Sequence, residues 1–219
     1  MPSLATSPAD PRGAARAPAA HRRARAPSRR GLSQLPGLGA LCEERSGLPV
    51  TVDGAGRFSG EAGGFEMLVS MGAPRGIVVD AGQTAIKASI APGHRTLVER
   101  AGTPRIEGLV ATAIARAAGE HDDVDPAVVL GLPCEMRDDG SIGPCSYEGT
   151  YDRAWVVETI VAAFEAVPEA HPLRRAPEVR VALVNDAVLA AASALPRLAP
   201  GRTLVLTLGF GPGAAIVDR

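Results

Sequence analysis

Residues 77–90 read "IVVDAGQTAIKASI". A β-branched run, Ile77 to Val79, meets a turn built from Asp80, Ala81, Gly82, Gln83 and Thr84. Apolar residues then resume at alternate positions, as a strand requires. Lys87 follows three residues after the turn and is the only lysine of the chain; the remaining 22 basic side chains are arginines. "PGH" at 92–94 reads as a second turn and "RTLVERAG" at 95–102 as a third strand. Residues 75–101 are therefore expected to form an antiparallel meander with tight turns.

Beyond the meander the period changes. "RIEGLVATAIARAAGE" places apolar residues at 106, 109, 110, 113, 114 and 117, which is helical spacing. "PAVVLGLP" (126–133) is a continuous apolar strand of the kind covered on both faces. The polar stretch 134–152 reads as a loop and is followed by a helix from about 153 to 167. "EVRVALVND" (178–186) reads as another buried strand, and the helix that follows should end at Pro196. "RTLVLTLGFGPGAAIVD" (202–218) reads as two strands around a glycine-rich turn. The order β-β-β-α-β-α-β-α, then β-turn-β, predicts an α/β fold: a mixed sheet with helices on both faces.

The amino-terminal part differs. The first 35 residues hold seven arginines and one acid, Asp10, in an Ala/Pro/Arg-rich stretch with no apolar period. Residues 1–70 are expected to be a disordered extension. Three origins stay open: a tail, a basic arm or transit peptide, or a gene start assigned upstream of Met67 or Met71. Residues 36–70, with "VTVDGAGRFSG", are expected to form a weak hairpin at best. Net charge is −1, which gives no electrostatic argument for a nucleic-acid partner. No apolar run is long enough for a membrane span. Cys42, Cys134 and Cys145 make no disulfide framework and no zinc spacing, so free thiols in a reducing cytoplasm are expected.

Three turns carry candidate chemistry. At Asp80–Thr84, Gly82 permits positive φ and close approach of a ligand, exposed amides suit an anion, and Thr84 adds a hydroxyl. Asp80, at a strand's carboxyl end, suits Mg²⁺, directly or through water. Lys87 adds positive charge. Each feature is equally compatible with an ordinary hairpin turn. Asn185-Asp186 closes a strand and opens a helix. Either residue suits an N-cap; Asp186 also suits a general base and Asn185 a contact to a substrate hydroxyl. Gly209, Gly211 and Gly213 alternate in the last turn, which suits a second phosphate loop or a plain glycine hairpin.

Together, "DAGQTAIK" (80–87), "NDAVLAAA" (185–192) and "LGFGPGAAI" (208–216) resemble three motifs of the ROK family (repressor, open reading frame, kinase), sugar kinases of the actin-like ATPase superfamily. "GLPCEMRDDGSIG" (131–143) is similar to that family's G-x-P-G segment and the turn after it. The resemblance covers residues 75–219. It implies an actin-like (ribonuclease H-like) amino-terminal domain over 71–200 and, over 201–219, the first hairpin of a second, truncated domain. It implies ATP and Mg²⁺ as cofactors, with phosphates on Gly82, Gln83, Thr84, Lys87, Gly209 and Gly211, and Mg²⁺ near Asp80. Asn185 would bind a hexose or N-acylhexosamine whose hydroxyl gives its proton to Asp186. A cytoplasmic protein is implied, and a homodimer at full length stays open.

This chain departs from the motifs at three places. Gln83 stands for a glycine, Phe210 for a threonine and Ala214 for a glycine, each expected to weaken the hold on phosphate. The family's second-domain segments do not follow Arg219, so the chain as it stands is expected not to phosphorylate sugar. Two other readings remain: a non-catalytic sugar-binding or regulatory relative, and another actin-like phosphotransferase such as a carboxylate kinase. A repressor is disfavoured, because residues 1–70 show no helix-turn-helix pattern.

Overall fold

The computed structural model describes residues 37–52, 59–83, 85–91, 94–99, 105–176, 178–208 and 212–219, the side chains of 94–99, 208 and 212 excepted. In chain order it contains helices α1 (Leu38–Ser46) and α2 (Ser59–Ser70), then strands β1 (Ile77–Ala81), β2 (Ala85–Ala91) and β3 (His94–Glu99). Helix α3 (Glu107–Gly119), strand β4 (Ala127–Leu132) and a short pair, β5 (Cys134–Met136) and β6 (Ile142–Cys145), follow. Helix α4 (Arg153–Glu165), strand β7 (Arg180–Asn185), helix α5 (Asp186–Ala194) and strands β8 (Arg202–Leu208) and β9 (Pro212–Asp218) complete the order.

The main sheet has five strands in the order β3-β2-β1-β4-β7. β1, β2 and β3 form the expected antiparallel meander, with Val78 opposite Ser89 and Asp80 opposite Lys87. β4 joins the other edge of β1 in parallel, and β7 joins β4 in parallel. The carboxyl ends of β1, β4 and β7 therefore share one edge of the sheet.

Side-chain alternation divides the interior into two layers. Ile77, Val79, Ala81, Val128, Leu130 and Leu132 pack with α3 and α4. Val78, Ala127 and Val129 face the other way, onto Leu68 of α2 and Leu189 of α5. β4 is buried at all six positions, as its unbroken apolar run predicts. In α4, Asp152 Oδ1 accepts from the Trp155 N–H at 2.8 Å, and Val156, Thr159, Ile160, Ala163 and Phe164 make the buried stripe. β8 and β9 pair with each other in a separate hairpin and leave Leu204, Leu206 and Ile216 exposed. No helix among the described residues is long and apolar enough to cross a membrane.

Four expectations need correction. The first concerns residues 36–70, where Leu38–Ser46 and Ser59–Ser70 are helices, while residues 53–58, the centre of the expected hairpin, lie outside the described residues. Leu68 of α2 is fully buried, and Gly60, Gly63 and Gly64 are buried too. A Cβ on Gly63 would strike the Leu189 carbonyl, and one on Gly64 would strike Val78. Each interior glycine disfavours a helix by about 1 kcal/mol against alanine, so the segment reads as turn. Here the missing side chains let two helix backbones meet. Met67 and Met71 also pack on this layer. Residues 1–36 lie outside the described residues.

The second correction is the stretch 134–152, which begins with the β5–β6 hairpin rather than a loop. Third, Cys134 and Cys145 are opposite each other in that hairpin and are joined as a disulfide; Cys42 is the free cysteine. Fourth, β7 is an edge strand rather than a buried one, with Arg180 and Val181 exposed. Both of its faces are packed, Leu183 against one layer and Ala182 and Val184 against the other; it is the outer hydrogen-bonding edge that no strand covers among the described residues.

Leu68→Ala should cost about 2–5 kcal/mol as a buried large-to-small change. Gly63→Ala should cost about 1–3 kcal/mol by overpacking, although alanine is the better helix former. Equilibrium denaturation measures both, and wild-type stability in the two variants would mean that α2 is not packed on α5.

Candidate functional site

The strand β1 carries its apolar side chains on the α3–α4 layer at 77, 79 and 81, so Asp80 falls on the α2–α5 layer. Register places Lys87 directly opposite, and its Nζ lies 2.6 Å from Asp80 Oδ2. Both side chains are mostly covered, at 24% and 14% exposure for Lys87 and Asp80. Burying either charge alone would cost several kcal/mol, whereas the pair satisfies both. The amino end of α2 closes over them, since a Cβ on Gly60 would lie 3.0 Å from Asp80 Oδ2.

Across the same edge, β7 runs into α5. Asn185 takes the capping role: its Oδ1 accepts from the Ala187 N–H at 2.8 Å, while its Nδ2 donates to the Cys134 carbonyl at 2.8 Å. Asp186 thus stands beside the cap instead of serving as it. Its carboxyl is pushed above the ordinary value of 3.8, first by burial and then by the negative charge of Asp80. The Ala187 N–H, its own N–H and the Lys87 ammonium act in the opposite direction. Asp80, Lys87 and Asp186 therefore form one electrostatic neighbourhood. The β8–β9 hairpin approaches it, since a Cβ on Gly213 would lie 3.1 Å from Ala187 Cβ and 3.7 Å from Asp186 Oδ1.

The first turn differs from its sequence reading in two respects. Gly82 does not adopt positive φ. Its amide donates to the Asp80 carbonyl at 3.1 Å and so is turned inward. Glycine fits here because a Cβ would come within 3.2 Å of the Ala85 carbonyl. Gln83 lies in the bend beside it. Thr84, Gly209 and Gly211 lie outside the described residues, as does Phe210.

Two contributors were missed from sequence. Gly60 sits in a stretch that reads as turn. Tyr147 donates its hydroxyl to the Ala81 carbonyl from a buried position; the scarcity of aromatics, 3% of the chain, was the one available signal. No group of three or more His, Cys, Asp or Glu suited to a metal ion occurs among the described residues. Asp80, the one residue the sequence offered to Mg²⁺, has its Oδ2 ion-paired with Lys87.

No family model matches the chain, nor does any curated protein or solved structure.

The charge arrangement predicts opposite responses. Asp80→Asn should lower the Asp186 pKa and Lys87→Met should raise it, both read from the carboxyl carbon by NMR titration. If neither moves it, the three charges are not neighbours. A carboxyl raised in the fold contributes stability that is fully present below its unfolded pKa and lost as pH rises through its folded pKa. Asp186→Asn should therefore gain stability over wild type toward neutral pH, the difference closing below the ordinary carboxylate range. A variant less stable at neutral pH would contradict this.

Proposed function

We propose that the protein is the amino-terminal, actin-like part of a sugar kinase that transfers the γ-phosphoryl group of ATP to a hydroxyl of a hexose or N-acylhexosamine. The observation that carries this reading is Asp186: a half-buried carboxyl with a raised pKa at the start of α5, across the sheet edge from Asp80 and Lys87. Open α/β sheets take ligands at the carboxyl ends of their strands, where β1, β4 and β7 end together here. The motif likeness at 80–87, 185–192 and 208–216 supports the same chemistry. In this reading β8–β9 is the first hairpin of a second domain, and the reaction is cytoplasmic.

Asp186 accepts the proton of the attacking hydroxyl, and its raised pKa brings it nearer the range where a base works at neutral pH. The second N–H of the Asn185 amide orients the sugar while the first stays on Cys134. Lys87 keeps Asp80 in place and offsets its charge beside incoming phosphates. Mg²⁺, bound with the nucleotide near Asp80, would neutralise the phosphate oxygens. Most of the acceleration in such a transfer comes from positioning and charge.

A second reading is favoured by the first turn. The Gly82 amide is already engaged by the Asp80 carbonyl, and Gln83 stands where the motif has glycine, which suits a non-catalytic sugar-binding relative. Binding separates the two readings better than turnover does, because a two-stranded hairpin gives the nucleotide a marginal second wall. The kinase reading expects Mg-ATP to shift the amide signals of 80–87 and 185–187, and Asp80→Asn to weaken that binding at least about tenfold. Sugar binding without any Mg-ATP effect would support the non-catalytic relative. Response to neither would reject both.

A further inference from the structure

Three bonds converge on the β5–β6 hairpin. Cys134 and Cys145 are joined across it, eleven residues apart in sequence. The Cys134 carbonyl accepts from the Asn185 amide. Two residues beyond Cys145, the Tyr147 hydroxyl donates to the carbonyl of Ala81. One crosslink therefore lies between the anchors of two elements of the candidate site, the turn after β1 and the start of α5. The strands it joins are three and four residues long, and the pairing shifts register between Cys134 and Met136. So short a two-stranded ladder holds little by itself.

We propose that the Cys134–Cys145 pair is a thiol–disulfide modification site that sets the order of the turn after β1 and the start of α5. Closed, it holds the Cys134 carbonyl under Asn185 and Tyr147 under Ala81. Open, it releases both anchors together. The opening reagent is a dithiol. Its thiolate attacks the sulfur of Cys145, which is half-buried where Cys134 is 1% exposed. That forms a mixed disulfide and expels the Cys134 thiolate, which takes up a proton. The second thiol of the reagent then displaces Cys145, which is protonated in turn, and the reagent leaves as a cyclic disulfide. Two electrons and two protons pass to the protein. Closing is the reverse exchange, with a small-molecule disulfide as oxidant. The inference rests on these hydrogen bonds and holds whichever ligand the candidate site takes.

The test uses the full chain, oxidised with glutathione disulfide or reduced with dithiothreitol. Alkylation and mass measurement should count one free thiol, Cys42, in the first state and all three cysteines in the second. Hydrogen exchange of the segments 78–86 and 183–189 should accelerate about tenfold on reduction, as local opening does, with α3 unchanged. The double variant Cys134→Ser, Cys145→Ser should match the reduced state. In Tyr147→Phe the segment 78–86 should exchange fast in both states while 183–189 still responds. Equal exchange in the two states, an equal rise in α3, or three reactive thiols after oxidation would each overturn the proposal.

Discussion

An ammonium and a carboxylate facing each other on adjacent strands, Lys87 and Asp80, fix what the sheet edge can be. Either charge alone beneath two helices would be expelled or neutralised; paired, they stay. Their pairing lets α2 close over the end of β1 with Gly60 against the carboxylate. The Asp186 carboxyl nearby is raised first by burial and then by the charge of Asp80, with Lys87 acting the other way. In a chain that otherwise uses arginine, a lysine suits this place: a compact point charge on a flexible stem reaches a single carboxylate oxygen, where a guanidinium fork needs a broader partner.

Most of the framework follows from periodicity. The apolar positions that predict α3 are those that turn inward, with Ile106, Val110, Ala113, Ile114 and Ala117 in the core and Leu109 packed against it. β4 reads as covered on both faces and is. What escaped the sequence has identifiable physical causes. In α2, glycine serves helix contact rather than chain reversal, and the packing partner Leu189 lies more than a hundred residues away. The disulfide depends on a hairpin register that no spacing rule encodes. For β7, an apolar run does not reveal whether a neighbour covers its second side. At Gly82, the glycine answers a close carbonyl rather than an unusual φ.

The candidate site was legible as residue types but not as contacts. Asp80, Asn185 and Asp186 do lie on one edge, because parallel pairing through β4 aligns the ends of β1 and β7. The division of labour between Asn185 and Asp186 came only with the structure: the amide caps α5 and ties it to Cys134, which leaves the carboxylate beside it to answer to Asp80 and Lys87. The β5–β6 hairpin, which reads as a loop in sequence, lies between the Cys134 contact to Asn185 and the Tyr147 contact to Ala81. A phosphoryl-transfer reading thus draws on one electrostatic cluster and a set of motif likenesses.

The most direct measurement of the central claim is a crystal structure with Mg²⁺ and a non-hydrolysable ATP analogue. The account predicts the terminal phosphate at the sheet edge between the turn after β1 and the β8–β9 hairpin, with the metal near Asp80 and the Asp186 carboxylate open toward the phosphate. A nucleotide bound elsewhere, or a structure in which Asp80 and Asp186 lie on opposite sides of the sheet, would contradict it.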